Sequence, residues 1–221
     1  MTRYAVILTH NRWDDLKGTV AQIMPQCDRV IIVDNASNPP VSRDPSWQPH
    51  VEIVYDPEQP PNLARLWNTQ LARIGWWEEG AAAWEVAFLC DDVDVPLGWY
   101  SAVVDAMRLH GCAAGSTHQY TPVASPIVKR EPDTDIHNRM TGWAFVLAGE
   151  KGLVADERFH FWWQDTDLDW AARRNSGMVI APGPVAKNQQ PGYWTNAKPS
   201  LTEQAGRDGE AFAAKHGTRP W

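Results

Sequence analysis

Glu85-Val86-Ala87-Phe88-Leu89-Cys90-Asp91-Asp92-Val93-Asp94 is a mostly apolar run that empties into three carboxylates. A short apolar stretch bounded by polar residues is the pattern of a strand buried on both faces, as in a parallel sheet. Three acidic side chains crowded at its carboxyl end repel one another. A divalent cation with hard oxygen ligands removes that cost, and a bound pyrophosphate would complete the cation's shell. Taken alone, the same residues also make a solvated acidic turn.

Upstream, strand and helix patterns alternate. Residues 4–9 form a short apolar run, followed by Leu16, Val20, Ile23 and Met24 at helical spacing. Residues 29–34 read as a second buried strand, stopped by Asn35-Ala36-Ser37-Asn38-Pro39-Pro40, and residues 51–55 as a third. From Asn62, the residues Leu63, Leu66, Trp67, Gln70, Leu71 and Ile74 mark an amphipathic helix. This alternation predicts an α/β fold with a mostly parallel sheet and helices on both faces. In such sheets, ligands bind beyond the carboxyl ends of the strands. There the sequence places Thr9-His10-Asn11-Arg12, Asp34-Asn35 and Asp91-Asp92-Val93-Asp94. Each alone is a plausible turn or cap, whereas three at one sheet edge point to a site.

Downstream the pattern is less regular. Residues 97–110 read as helix, 140–148 as strand and 165–176 as helix, and the Pro-rich, polar stretch 116–139 as a long loop over the site. Ser200-Leu201-Thr202-Glu203 has capping-box spacing and starts a last helix through about residue 215. With no internal repeat, the chain reads as one domain over 1–221: a nucleotide-binding half to about residue 95, an acceptor half to about 195, then the C-terminal helix and tail.

Composition narrows the function classes. The chain has 221 residues, 43% of them hydrophobic, enough to build a core. A formal net charge of −7 disfavours nonspecific phosphate-backbone binding. No run of about 18 apolar residues exists, so no membrane span is expected. The apolar run at the start is too short for a signal peptide and reads as a strand. Cys27, Cys90 and Cys112 are widely spaced and odd in number, which suits a reducing cytoplasm and gives no metal motif. The 13 Trp are suited to sugar faces, but most are expected to be core filler.

The chain resembles glycosyltransferase family 2, the inverting GT-A family. The matching pieces are Leu8-Thr9-His10-Asn11-Arg12, Val33-Asp34-Asn35-Ala36-Ser37, Pro61-Asn62-Leu63-Ala64-Arg65-Leu66-Trp67-Asn68, Phe88-Leu89-Cys90-Asp91-Asp92, Thr141-Gly142-Trp143-Ala144-Phe145 and Trp163-Gln164-Asp165-Thr166-Asp167-Leu168. They fall in family order between about residues 4 and 190. The resemblance implies a GT-A fold and a nucleoside-diphosphate sugar donor, UDP-linked, in a pocket lined by Thr9, Asn11, Arg12, Asp34 and Asn35. Arg65 and Asn68 would lie beside it. Asp91 would meet the ribose and Asp92 a divalent metal, Mn²⁺ or Mg²⁺, with Asp94 compensating for Cys90 where the family motif is often acidic. Gly142 and Trp143 would form the floor under the sugar.

The family's general base carries over to Asp165, with Gln164 replacing the usual Glu. By helical spacing, Asp165 and Asp169 share a face, and Asp169 pairs with Arg173. Where relatives often place a His, this chain has Pro184-Val185-Ala186-Lys187-Asn188, so Lys187 is the expected diphosphate partner. The implied chemistry is an inverting displacement in which Asp165 takes the acceptor's proton. Trp162 and Trp163 are candidates for an acceptor platform. The acceptor is open among protein, glycan, small molecule and modified DNA base. A nucleotidyltransferase and a noncatalytic sugar-binding module are the rival readings. Against the first stands the lack of a Gly-rich basic loop after strand one, and against the second the expected base.

Overall fold

The computed structural model describes residues 1–47, 49–135, 137–189 and 199–219. The predicted alternation is present: β1 (Thr2–Thr9), α1 (Trp13–Ile23), β2 (Arg29–Asn35), β3 (Val51–Asp56), α2 (Leu63–Trp77) and β4 (Trp84–Cys90). Then follow β5 (Val93–Asp94), α3 (Trp99–His110), β6 (Ala114–Thr117), β7 (Ile127–Lys129), β8 (Ala144–Ala148), α4 (Gln164–Asn175), β9 (Met178–Ala181), β10 (Lys187–Asn188) and α5 (Pro199–His216).

Eight strands form one sheet in the order β3-β2-β1-β4-β8-β6-β9-β7. The pairs β3/β2, β2/β1, β1/β4 and β6/β9 are parallel, while β8 runs antiparallel to β4 and β6, and β7 to β9. Strand alternation divides the core between the two faces. Ala5, Ile7, Val30, Ile32, Ala87 and Leu89 meet α1 and α3. Tyr4, Val6, Ile31, Val33, Val86 and Phe88 meet α2 and α4. Both faces of the central strands are thus covered, which is why their sequences are nearly continuous apolar runs. Among the described Trp, Trp47, Trp67, Trp84, Trp99 and Trp170 are buried and Trp13, Trp77, Trp143 and Trp163 pack partly buried against the core clusters, the core role expected for most of them.

The second half departs from expectation in detail. The stretch 116–139 is not all loop, because β6 runs to Thr117 and β7 pairs with β9 at the sheet edge. The strand expected from residue 140 begins only at Ala144, since Thr141 to Trp143 turn beside the site. The last helix starts at Pro199, one residue before the expected capping Ser200. A proline is tolerated in a helix's first turn, where its missing N–H has no partner anyway. Among the described residues, no helix is long and apolar enough to cross a membrane.

Candidate active site

The carboxyl ends of β1, β2 and β4 open onto a cleft of about 470 Å³, within the range of small-molecule sites. Register puts them side by side, Leu8 opposite Cys90 and Thr9 opposite Asp34. Thr9, Arg12, Asn35, Asp91 and Asp92 line the cleft from this side, and Gly142, Trp143 and Asp165 from the other. A larger, open depression of about 650 Å³ lies along β2 and β3, lined by residues of those strands and of the loop between them and by none of the expected site residues.

At the acidic end, Asp91 and Asp92 are buried. Thr9 Oγ1 donates to Asp91 Oδ2 at 2.7 Å, and the Arg12 guanidinium lies 2.8 Å from Asp92 Oδ2 and 3.6 Å from Asp91 Oδ1. Arg12 also pairs with Asp15 at 2.9 Å. Burial pushes the Asp91 carboxyl up to about 7, against the downward pull of the Thr9 hydroxyl and Arg12. The cluster therefore holds more buried acid than its one guanidinium neutralises. Thr19 Oγ1 clamps the backbone beneath it, bonding the carbonyls of Asp91 at 2.8 Å and Val93 at 3.0 Å.

Asp94 does not join this pair. Its Oδ1 accepts from Gln22 Nε2 at 2.8 Å, its strand pairs with β10, and it is absent from the cleft wall. The step from Asp92 to Asp94 crosses the two-residue strand β5, which carries the later carboxylate away from the cleft. Among the described residues, no group of three or more His, Cys, Asp or Glu converges as a metal cage. What fits a divalent cation is the hard, under-neutralised Asp91–Asp92 end, with most of the ion's shell left to a ligand's own oxygens.

The other expected nucleotide residues are engaged in structure. Asp34 is buried, its oxygens accepting the Ser37 and Val41 backbone N–H groups at 2.9 and 2.8 Å, so it shapes the turn after β2. Asn11, at a φ of 57°, braces that turn by accepting from Asn38 N at 2.7 Å. Arg65 pairs with Asp56 at 2.8 Å, and Asn68 bonds Ala155 O at 2.8 Å. Lys187 sits exposed on β10 opposite Asp94, while its neighbour Asn188 faces the cleft. Of this group only Asn35 lines the cleft, held by Asp56 and by Gln59.

Asp165 lies in the first turn of α4. Its Oδ1 accepts from Thr166 N at 2.8 Å, and Arg139 Nη1 lies 3.4 Å from Oδ2. It also sits against Gly142, where an added Cβ would be 2.6 Å from Asp165 Oδ2. Asp169 behaves as expected: it is fully buried and paired with Arg173 through contacts of 3.1 and 2.6 Å, away from the cleft. The sequence reading missed Arg139, Phe161, Ser200 and Leu201, all on the cleft wall. Arg139 was legible only as one of three cations in a polar stretch, with Lys129 and Arg130, and Ser200 only as a helix cap. Gln164 Oε1 and Trp162 Nε1 are buried there without a hydrogen-bond partner, polar groups that a bound ligand would satisfy.

No protein-family model matches the sequence, and no curated protein matches it. Solved structures do. TarS 1–349 from S. aureus in complex with UDP matches with a TM-score of 0.57 at 11% identity, covering 99% of this chain and 72% of that one. A second structure of TarS 1–349 matches with a TM-score of 0.55 at 9% identity, over 92% of this chain and 65% of that one. A third TarS structure matches with a TM-score of 0.56 at 10% identity, over 97% of this chain and 42% of that one. The chain thus spans 65% and 42% of the length of the last two. The fold is of the GT-A type. At such identities the likeness carries the fold alone.

Proposed function

We propose that this chain is an inverting glycosyltransferase that moves a sugar from a nucleoside-diphosphate sugar, UDP-linked, to an acceptor hydroxyl. The observation that carries the reading is that Asp165 and the Asp91–Asp92 pair, 73 residues or more apart in sequence, line one cleft beyond the strand ends of a GT-A fold. The UDP held by the TarS structure of the same fold supports the choice of nucleotide.

In this reaction the acceptor O–H gives its proton to Asp165 as its oxygen attacks the anomeric carbon. The bond from that carbon to the diphosphate breaks on the opposite side, and the nucleoside diphosphate leaves. Asp92, with Asp91 beside it, would hold Mn²⁺ or Mg²⁺, which supplies neutralisation of the diphosphate's charge when bound. Thr9 and Asn35 orient the nucleoside, and Arg139 holds Asp165 on its face of the cleft. Phe161, Trp162 and Trp143 exclude water and offer flat faces to sugar rings. A sugar-binding module needs no carboxylate opposite the nucleotide end, and Asp165 stands there. Three free cysteines support a cytoplasmic setting.

Incubation with a panel of nucleotide sugars tests the reading. Slow hydrolysis of one donor, with release of its nucleoside diphosphate, is expected. No release from any donor together with no UDP binding by calorimetry would overturn it.

A further inference from the structure

Between the short helical turn after β8 and the start of α4, residues 152–163 form no strand or helix. Their backbone N–H groups have no ladder to pair with and must find other acceptors. Three consecutive ones find the same side chain. Asp208, in the middle of α5 and 1% exposed, accepts from Phe161 N and Trp162 N at 2.9 Å through Oδ2 and lies 3.3 Å from His160 N through Oδ1. Gln204, one turn earlier on α5, steadies the carboxylate by donating to Oδ1 at 2.6 Å.

The loop so held is the wall of the cleft. Phe161 and Trp162 line it, and the next residue, Trp163, has a φ of 68°, a turn in the left-handed region that sends the chain into α4. Asp165 follows two residues later. Trp163 is fixed from α5 as well, its Nε1 donating to Ala205 O at 3.4 Å and its ring edge passing over Gly209. On the other side, His160 O accepts from Leu63 N at 2.7 Å, joining the loop to the first turn of α2, which also lines the cleft. Phe212 packs on Phe159 and Trp170 beneath.

We propose that Asp208 is a positioning residue for the reaction: from the C-terminal helix it fixes the backbone of residues 160–162 and thereby the place of Trp162 and Asp165. It is outside the cleft and cannot touch substrate, so it acts through the loop. This rests on the transferase reading above in its catalytic consequence, though not in its geometry. It also makes α5, which contributes Ser200 and Leu201 to the same wall, part of the acceptor side rather than a tail.

The experiment compares full-length wild type, Asp208→Ala and Asp208→Asn. Displacement of a reacting group by about 1 Å can cost on the order of 10²-fold. For Asp208→Ala, kcat of donor turnover should fall about 10- to 100-fold, while the Kd for UDP by calorimetry stays within about two-fold. Asp208→Asn, which keeps an accepting oxygen, should recover part of that loss, and it carries the test if the alanine variant does not fold. Unchanged kcat, or kcat and UDP affinity falling together, would overturn the proposal. If the wild type turns over no nucleotide sugar, the transferase reading fails, and amide hydrogen exchange decides the geometry. Faster exchange in Asp208→Asn should then extend from 160–162 through 166, and a change confined to 160–162 would sink the idea.

Discussion

Two carboxylates one helical turn apart, Asp165 and Asp169, have opposite surroundings. The first lines the cleft, and the second is fully buried against Arg173. Asp165→Asn keeps the shape and removes the proton acceptor, so transfer at saturating donor should fall by about 10²–10⁴-fold with UDP binding unchanged. Asp169→Asn instead removes the buried carboxylate of the pair and leaves the Arg173 guanidinium to Asp133, 2.9 Å away, which should lower stability by about 1–3 kcal/mol in denaturant titrations while folded enzyme keeps its turnover. Near-normal transfer by Asp165→Asn would show that the base is misplaced. At the acidic end, Asp92→Ala should remove the Mn²⁺-dependence of UDP binding by calorimetry without unfolding the chain. Equal UDP affinity in wild type with and without Mn²⁺ would refute a metal role there. Residues at strand ends were legible because the apolar run stops there and charge begins. That Asp34, Asn11, Arg65 and Asn68 are bonded within the protein was not legible, since a polar residue bonded to backbone or to a neighbouring carboxylate reads the same in sequence as one bonded to ligand.

At the scale of elements, long apolar-periodic segments declared themselves and short ones did not. β1, β2, β4 and α2 each bury a row of side chains at strand or helix spacing, so pattern alone placed them within a few residues. β5 and β10 have two residues each and β7 three, too few to show a period, and only their partners make them strands. The turn before β8 shows what such segments do for the site. Gly142 φ is not in the left-handed region, and the glycine is there for space: a Cβ would approach Asp165 Oδ2 to 2.6 Å and Cγ to 3.0 Å. The Asp165 carboxylate would have to move, and with its Cβ at 3.1 Å the rest of the side chain would be crowded too. Gly142→Ala should therefore lower kcat by about 10- to 100-fold, with little change in UDP affinity or melting temperature. Full activity in that variant would mean that α4 shifts freely and that the contact does not set the base.

On the scale of the whole molecule, the architecture outlives sequence likeness, with a TM-score of 0.57 at 11% identity. A doubly covered sheet asks only for apolar residues at alternating depths, a demand many sequences meet. The helix α5 is different, because it is held to the rest by particular charges as well as by Phe212. Lys215 Nζ lies 2.8 Å from Asp156 Oδ2 and 2.7 Å from Asp167 Oδ1, and His216 Nε2 lies 2.7 Å from that same Asp167 oxygen. The hydrogen bonds from Arg158 first, and then that from Lys215, hold the Asp156 carboxyl well below its ordinary 3.8. A depressed native value means that the unfolded chain binds more protons in acid, so the stabilisation is present above pH 3.8 and is lost as pH falls below it. Arg158 is two residues from Asp156 and ties nothing distant, whereas Lys215 ties the end of the chain. Lys215→Gln should thus melt lower than wild type at pH 7, and the gap should close as pH falls below 3.8 towards the native carboxyl's own lower value. Thermal melts across that range check it, and parallel curves for the two proteins would show that this ion pair does not hold α5 against the cleft wall.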